Sequence, residues 1–165
     1  MFRTEIIRLQ ELSEPEKSQI TNLIFTMFSI KDHPNVDFHY VISQANEIIG
    51  YCAIKIRVIN IDNVGIIVNL LGLFCITKLY QRIGLGSKLL TFVKHDISSI
   101  NNYGIILNCG NDIQQFYHNN GFFKVSDNAK YMRNDIVVID NDPVLYFGDQ
   151  IKANKELDIY LGEDF

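Results

Sequence analysis

The segment Gln81-Arg82-Ile83-Gly84-Leu85-Gly86-Ser87 joins a long apolar run to an amphipathic helix. The run, 64–76, is hydrophobic almost throughout and interrupted by Asn69, the pattern of a central strand covered on both faces. The helix that follows carries Leu85, Leu89, Leu90, Val93 and Ile97 on one side. A turn from strand to helix leaves several backbone N–H groups pointing out of the helix start. Glycines at 84 and 86 let a ligand approach the backbone closely and permit unusual dihedrals. Such a turn suits a pyrophosphate. It is not a Walker-type loop, because the Gly-Lys-Ser/Thr ending is absent, and it is not a dinucleotide fingerprint, because GxGxxG fails and the element lies mid-chain. Taken alone, the turn is explained equally well by glycines that only relieve crowding.

Working outward, 4–9 reads as a short strand, and Ser13-Glu14-Pro15-Glu16 opens a helix: Ser13 can cap, Pro15 suits the first turn, and the acids favour the dipole. Ile20, Leu23, Ile24, Met27 and Phe28 share one face of that helix. Two strands follow, 38–43 and 47–58, joined by a polar turn at 44–46. Beyond the helix at 85, 104–109 is another apolar strand, 112–119 a short helix, and 122–147 two or three strands before an acidic tail. Hairpins come first, then strands alternate with helices, which predicts an α/β fold with a mixed sheet.

Composition bounds the rest. The chain has 165 residues, 47% hydrophobic and 21% charged, enough for one ordinary domain with a real core; without repeats or a low-complexity linker, 1–165 reads as a single domain. The net charge of −4 argues against broad nucleic-acid binding. Cys52, Cys75 and Cys109 sit apart in apolar runs with no CxxC spacing, as reduced buried thiols do, and no metal-ligand spacing connects the histidines. No signal peptide or bilayer-length run is present, so the expectation is a cytoplasmic protein that does not engage a membrane.

A second motif, Phe116-Tyr117-His118-Asn119-Asn120-Gly121-Phe122, follows about thirty residues after the loop. Together the two segments resemble the GCN5-related N-acetyltransferase (GNAT) superfamily. Its cofactor loop has the form [QR]-x-x-G-x-[GA], met by Gln81, Gly84 and Gly86, and its F-Y-x-x-x-G-F signature is met by Phe116, Tyr117, Gly121 and Phe122. The order of elements fits over most of the chain. The resemblance implies a GNAT-like mixed sheet with splayed central parallel strands, here 64–76 and 104–109, and helices on both faces. It implies acetyl-CoA as co-substrate, with pantetheine pairing to the backbone of Phe74 and Ile76 like an added strand, and with Arg82, Ile83, Gly84, Leu85, Gly86 and Ser87 at the pyrophosphate. A backbone N–H beside the thioester would stabilise the oxyanion formed on attack. Tyr117 would be the general acid toward the departing thiolate; read without the motif, it is a helix tyrosine packed with Phe116 and Phe122. The strand 64–76 carries no carboxylate or histidine to serve as base. His118 reads as a surface residue.

In layout the aminoglycoside 2'-N-acetyltransferases are the nearest branch. That resemblance implies acceptor contacts from Asp32 and Asp37 in the loop after the first helix, from Asn108 on the splayed strand, from the Asp140 and Asp142 region, and from Glu163 and Phe165 in the tail. A polyamine sugar wants carboxylates and an aromatic platform; a solvated acidic tail explains the same charges. The branch carries a glutamate two positions before Phe74 where this chain has Gly72, so a different small amine stays open. So do a protein or peptide amine, a non-catalytic acyl-CoA-binding module, and nucleotide binding at the loop. The stretch 122–147 offers a strand edge through which a homodimer could form.

Overall fold

Residues that alternate in polarity build most of this fold as one sheet. The computed structural model describes residues 4–152 and 157–163. Its elements run β1 (Thr4–Leu9), α1 (Glu14–Phe28), β2 (Phe38–Gln44), β3 (Glu47–Ile61), β4 (Val64–Ile76), α2 (Leu85–Ile100), β5 (Ile105–Asn108), α3 (Gln114–Asn119), β6 (Phe123–Ser126), β7 (Ala129–Arg133), β8 (Ile136–Asp140), β9 (Val144–Phe147) and β10 (Ile159–Glu163). The ten strands form a mixed sheet in the order β6-β9-β5-β4-β3-β10-β7-β8, with β2 also paired to β3 and β1 to β2. β4 with β5 and β7 with β10 are parallel pairs. The expected mixed α/β fold is therefore observed. The backbone clusters into two compact units, Met1–Lys55 with Leu71–Asp96 and Ile56–Leu70 with Ile97–Phe165.

In the first unit α1 starts where the sequence says it should. Glu16 reaches back to Ser13, accepting both its backbone N–H at 2.8 Å and its hydroxyl at 2.6 Å. Those two donors hold the Glu16 carboxyl below its ordinary range. Ser29 ends the helix in a left-handed conformation, φ 61°, its N–H bonded to the Phe25 carbonyl. Ile20, Leu23 and Ile24 then pack with Val41, Ile48, Tyr51, Ala53 and Cys75. On the neighbouring residue of β2, the Tyr40 hydroxyl donates to Asp96 of α2 at 2.9 Å, and Arg8 of β1 pairs with the same carboxylate at 3.0 Å. Because Tyr40 and Val41 are consecutive on a strand, α1 and α2 cover opposite faces, as expected.

His39 lies in this unit with only 6% of its surface exposed and its Nδ1 2.8 Å from the Tyr51 hydroxyl. Burial, helped by the nearby His33 ring, pushes its pKa down to about 4. Burial also raises the Tyr51 hydroxyl above its ordinary value. Both shifts favour a Tyr51 hydroxyl that donates to a neutral imidazole.

The second unit buries Ile59, Ile61, Val68, Leu70, Ile106, Val144, Tyr146, Ile159 and Leu161 in one cluster. Asn69, the polar interruption of β4, is wholly buried. Its Nδ2 donates to the Tyr103 carbonyl at 2.9 Å and to Asn101 Oδ1 at 3.2 Å, while its Oδ1 accepts from Asn101 Nδ2 at 3.1 Å. Its backbone N–H meets the Gly104 carbonyl at 2.9 Å.

The sequence reading departs from the structure mainly after residue 122. Four strands fill 122–147, because Asn134 and Asp135, with φ 50° and 60°, make a two-residue hairpin turn between β7 and β8. The acidic tail contains a strand, β10, lying between β3 and β7. Leu157, Ile159 and Leu161 alternate into the core, and Arg57 donates to the Leu161 carbonyl at 3.0 Å. No helix among the described residues is long and apolar enough to cross a membrane.

Two stability measurements follow from these contacts. Asn69→Leu takes their partner from the half-buried Asn101 amide and Tyr103 carbonyl, so urea denaturation should show a loss of about 1–3 kcal/mol. His39 is half-protonated in the fold only near pH 4, whereas in the unfolded chain it takes up its proton near 6.5. The stability tied to its neutral form is therefore complete above pH 6.5 and declines as pH falls toward 4, by on the order of 3 kcal/mol. His39→Gln should flatten that part of the urea-midpoint profile.

Candidate functional site

The loop ahead of α2 is tied to both β3 and β4. Thr77 N–H bonds the Ile49 carbonyl at 2.8 Å, a 3-10 turn occupies Lys78–Tyr80, and Gln81 Nε2 donates to the carbonyl of Ile76 at 2.8 Å. Gln81 thus has a structural partner at the last residue of β4. Arg82 and Gly84 both take left-handed conformations, φ 62° and 85°. The Gly84 carbonyl accepts the first helical bond, from Lys88 N–H at 3.1 Å, and Leu85 is buried behind it. A Cβ placed on Gly84 would meet nothing within 4 Å. Crowding therefore does not explain this glycine, and the backbone angle does. Arg82, Ile83 and Gly84 are exposed, while Gly86 and Ser87 are half-buried. No acidic residue occupies the first turn of α2, and Arg82 makes no ion pair among the described residues. The loop thus offers a positive helix end and a guanidinium beside open space, a donor set that fits a pyrophosphate.

On β4, Phe74 is half-buried and Ile76 buried. The parallel ladder to β5 joins Asn69 with Ile105 and Leu70 with Ile106. Leu73 holds φ 51°, unusual for a bulky residue inside a strand. Such outliers gather where function fixes the backbone. Sequence reasoning missed Leu73, and only the adjacent Gly72 hinted at irregularity.

In the second unit, Tyr117 is buried on α3, its ring 5.1 Å from Phe116 and 5.6 Å from Phe122, both edge-on. The packing expected of a plain helix tyrosine is therefore real. His118 is half-buried and fully engaged: Nδ1 lies 2.9 Å from the Phe122 carbonyl and Nε2 3.1 Å from Gln114 Nε2. A carbonyl requires the proton on Nδ1, which leaves Nε2 to accept from Gln114. His118 therefore holds the end of α3 and is not the surface residue expected.

Asn108, at the end of β5, donates through Nδ2 to Asp140 Oδ2 at 2.8 Å, and Asp140 Oδ1 accepts the Asp142 N–H at 3.0 Å. Desolvation, then Asp140 and Asp112, raise the Asp142 carboxyl. Desolvation, with Asp142 and Asp112, pushes the Cys109 thiol up to about 11. Asp140 thus links Asn108 to the Asp142 backbone, and Asp112, which sequence reasoning did not single out, adds its charge nearby. Cys52, Cys75 and Cys109 are all free and buried, and burial raises each thiol, which makes them poor nucleophiles. Asp32 and Asp37 are exposed in the loop after α1 of the first unit. Glu163 closes β10, but its side chain lies outside the described residues, as does Phe165. Among the described residues no group of three His, Cys, Asp or Glu gathers to hold a metal ion.

A family model described as an acetyltransferase (GNAT) domain matches residues 10–140. Among solved structures, Arabidopsis thaliana Naa50 in complex with the bisubstrate analogue CoA-Ac-MVNAL superposes with a TM-score of 0.66 at 16% identity, covering 88% of this chain and 99% of that one. Escherichia coli ElaA gives 0.65 at 16% identity, covering 88% and 98%. E. coli YhbS, a GNAT family N-acetyltransferase solved with CoA, gives 0.64 at 13%, covering 88% and 81%. No curated protein matches the sequence significantly.

If Gly84 is chosen for its backbone angle, a β-branched replacement is penalised and asparagine, which tolerates that region, is not. Gly84→Val should lower stability by about 1–3 kcal/mol, and Gly84→Asn by clearly less, in paired urea titrations.

Proposed function

Since this chain belongs to the acetyltransferase (GNAT) family, we propose that it moves an acetyl group from acetyl-CoA to the primary amine of a small cationic acceptor. The observation that carries the proposal is the start of α2, opened by Gly84 and free of acids in its first turn. When bound, acetyl-CoA supplies the acetyl group as an activated thioester. The backbone from Arg82 to Ser87 would hold its pyrophosphate, the Arg82 charge adding to the helix dipole. The backbone of Phe74 and Ile76 would pair with the pantetheine arm, with a nearby N–H to receive developing negative charge on the carbonyl oxygen. Tyr117 would deliver a proton to the leaving sulfur.

The acceptor's charge is supported by Asp142, whose carboxyl is raised by desolvation and by the neighbouring Asp140 and Asp112, a field that favours a cation there. Asn108, whose Nδ2 is held by Asp140, would position the acceptor. Asp32, Asp37, Glu163 and Phe165 complete the proposed contacts. The finer reading is the 2'-amine of an aminoglycoside. A second reading, a peptide amine, is favoured by the similarity to Naa50, solved with a peptide-bearing analogue.

CoA release should be followed with tobramycin, which has a 2'-amine, with kanamycin A, which has a hydroxyl there, and with the peptide Met-Val-Asn-Ala-Leu. Turnover with tobramycin alone is the expected result; turnover with the peptide alone would move the assignment to the second reading. Tyr117→Phe should lower kcat about a hundredfold and leave CoA binding intact. Turnover unchanged by that substitution would remove Tyr117 from the mechanism. CoA binding without turnover of any amine would mark a binding module.

A further inference from the structure

A cavity of about 550 Å³ opens in the second unit, at the end of β5 away from Asn108, and is lined by Gly104 and Ile105. The groups that face it share one electrostatic character. Ile97 and Ser98 bring the last turn of α2, the negative end of the helix dipole, and that turn carries no basic residue. Asp149 adds a carboxylate that makes no ion pair among the described residues. No lysine, arginine or histidine is among the lining residues. Tyr103, Phe123 and Phe147 supply aromatic surface. Two of those rings are already held: Phe123 lies 5.6 Å from Tyr146, edge-on, and Phe147 5.5 Å from Phe122.

The cavity's floor is fixed. A Cβ on Gly104 would fall 2.0 Å from the Tyr146 hydroxyl, and one on Gly148 2.7 Å from it. The Gln150 N–H donates to that hydroxyl at 3.2 Å, tying the Asp149 segment to the buried Tyr146. The volume lies within the range of small-molecule pockets.

We propose that this cavity is a binding site for a small organic cation carrying an aromatic or aliphatic body, held by Asp149 and the carboxyl end of α2 against the Phe123 and Phe147 rings. It is separate from the proposed transfer site. Ile97 lies about three helical turns along α2 from Leu85, and Asn108 with its carboxylates sits at the other end of β5. A carboxylate and aromatic faces attract the same charge, and rings already fixed by neighbours lose little freedom on binding.

The probe is benzyltrimethylammonium, which has no N–H and cannot accept an acetyl group, titrated by calorimetry into the full chain. Phenylacetate, of similar shape and opposite charge, is the comparator. The expected result is binding of the cation alone, weakened at least fivefold by Asp149→Asn, weakened also by Ser98→Phe, which puts a ring at the cavity lining, and unchanged in Asp142→Asn. Thermal melts of each variant confirm folding, and Asp149→Asn changes an exposed side chain only. Equal binding of phenylacetate, no binding to the native chain, or binding that is indifferent to both Asp149→Asn and Ser98→Phe would overturn the proposal. Loss in Asp142→Asn alone would overturn it too, by assigning the cation to the acceptor carboxylates.

Discussion

A fully buried amide costs more than it contributes unless each of its hydrogen bonds is made, and Asn69 meets that condition. Its side chain holds the Tyr103 carbonyl and the Asn101 amide, and its backbone holds the Gly104 carbonyl. The turn between α2 and β5 is therefore fastened to β4 before the parallel ladder begins at Asn69 and Leu70. A leucine in the same place would suit the hydrophobicity of the strand and keep the backbone bond to Gly104, but it would lose every side-chain tie to the turn. One polar residue in an otherwise apolar strand thus adds side-chain bonds to the backbone register of the β4–β5 parallel pair.

Backbone conformation matters as much as side-chain chemistry in this chain. Arg82 and Gly84 bend the chain into α2, and Leu73 bends β4 itself. Under the proposed function, main-chain donors near these positions would meet the phosphates and the thioester carbonyl of acetyl-CoA, whichever side chains stand there. The solved structures that share this fold do so at only 13–16% identity.

The sequence disclosed what periodicity and turn chemistry carry. β4 spans 64–76 as its apolar run indicates, the buried face of α2 is the Leu85, Leu89, Leu90, Val93 and Ile97 stripe, and the glycine loop sits where two motifs put it. What it hid was set by tertiary contact. Nothing local announces that a leucine at 73 takes a positive φ. Asp112 is distant in sequence from Asp140 and Asp142 yet shares their field. His118 read as exposed because its polarity outweighed its spacing, four residues from both Gln114 and Phe122, which is the spacing that engages it. The alternation of Leu157, Ile159 and Leu161 was legible in principle, but acids around it made the segment look like solvated tail.

β8 ends the sheet, and it presents Ile136, Val137 and Ile139 to solvent. A short β-branched edge of this kind is a template for self-association unless something blocks it. Arg133 and Asp135 at the hairpin and Asp140 at the far end bracket it with charge, the placement that guards unavoidable apolar strands. Two of the three guards are carboxylates. Losing a charge from either end would leave Ile136, Val137 and Ile139 without their flanking repulsion, so the colloidal behaviour of the protein is tied to the few charges at the sheet's edge.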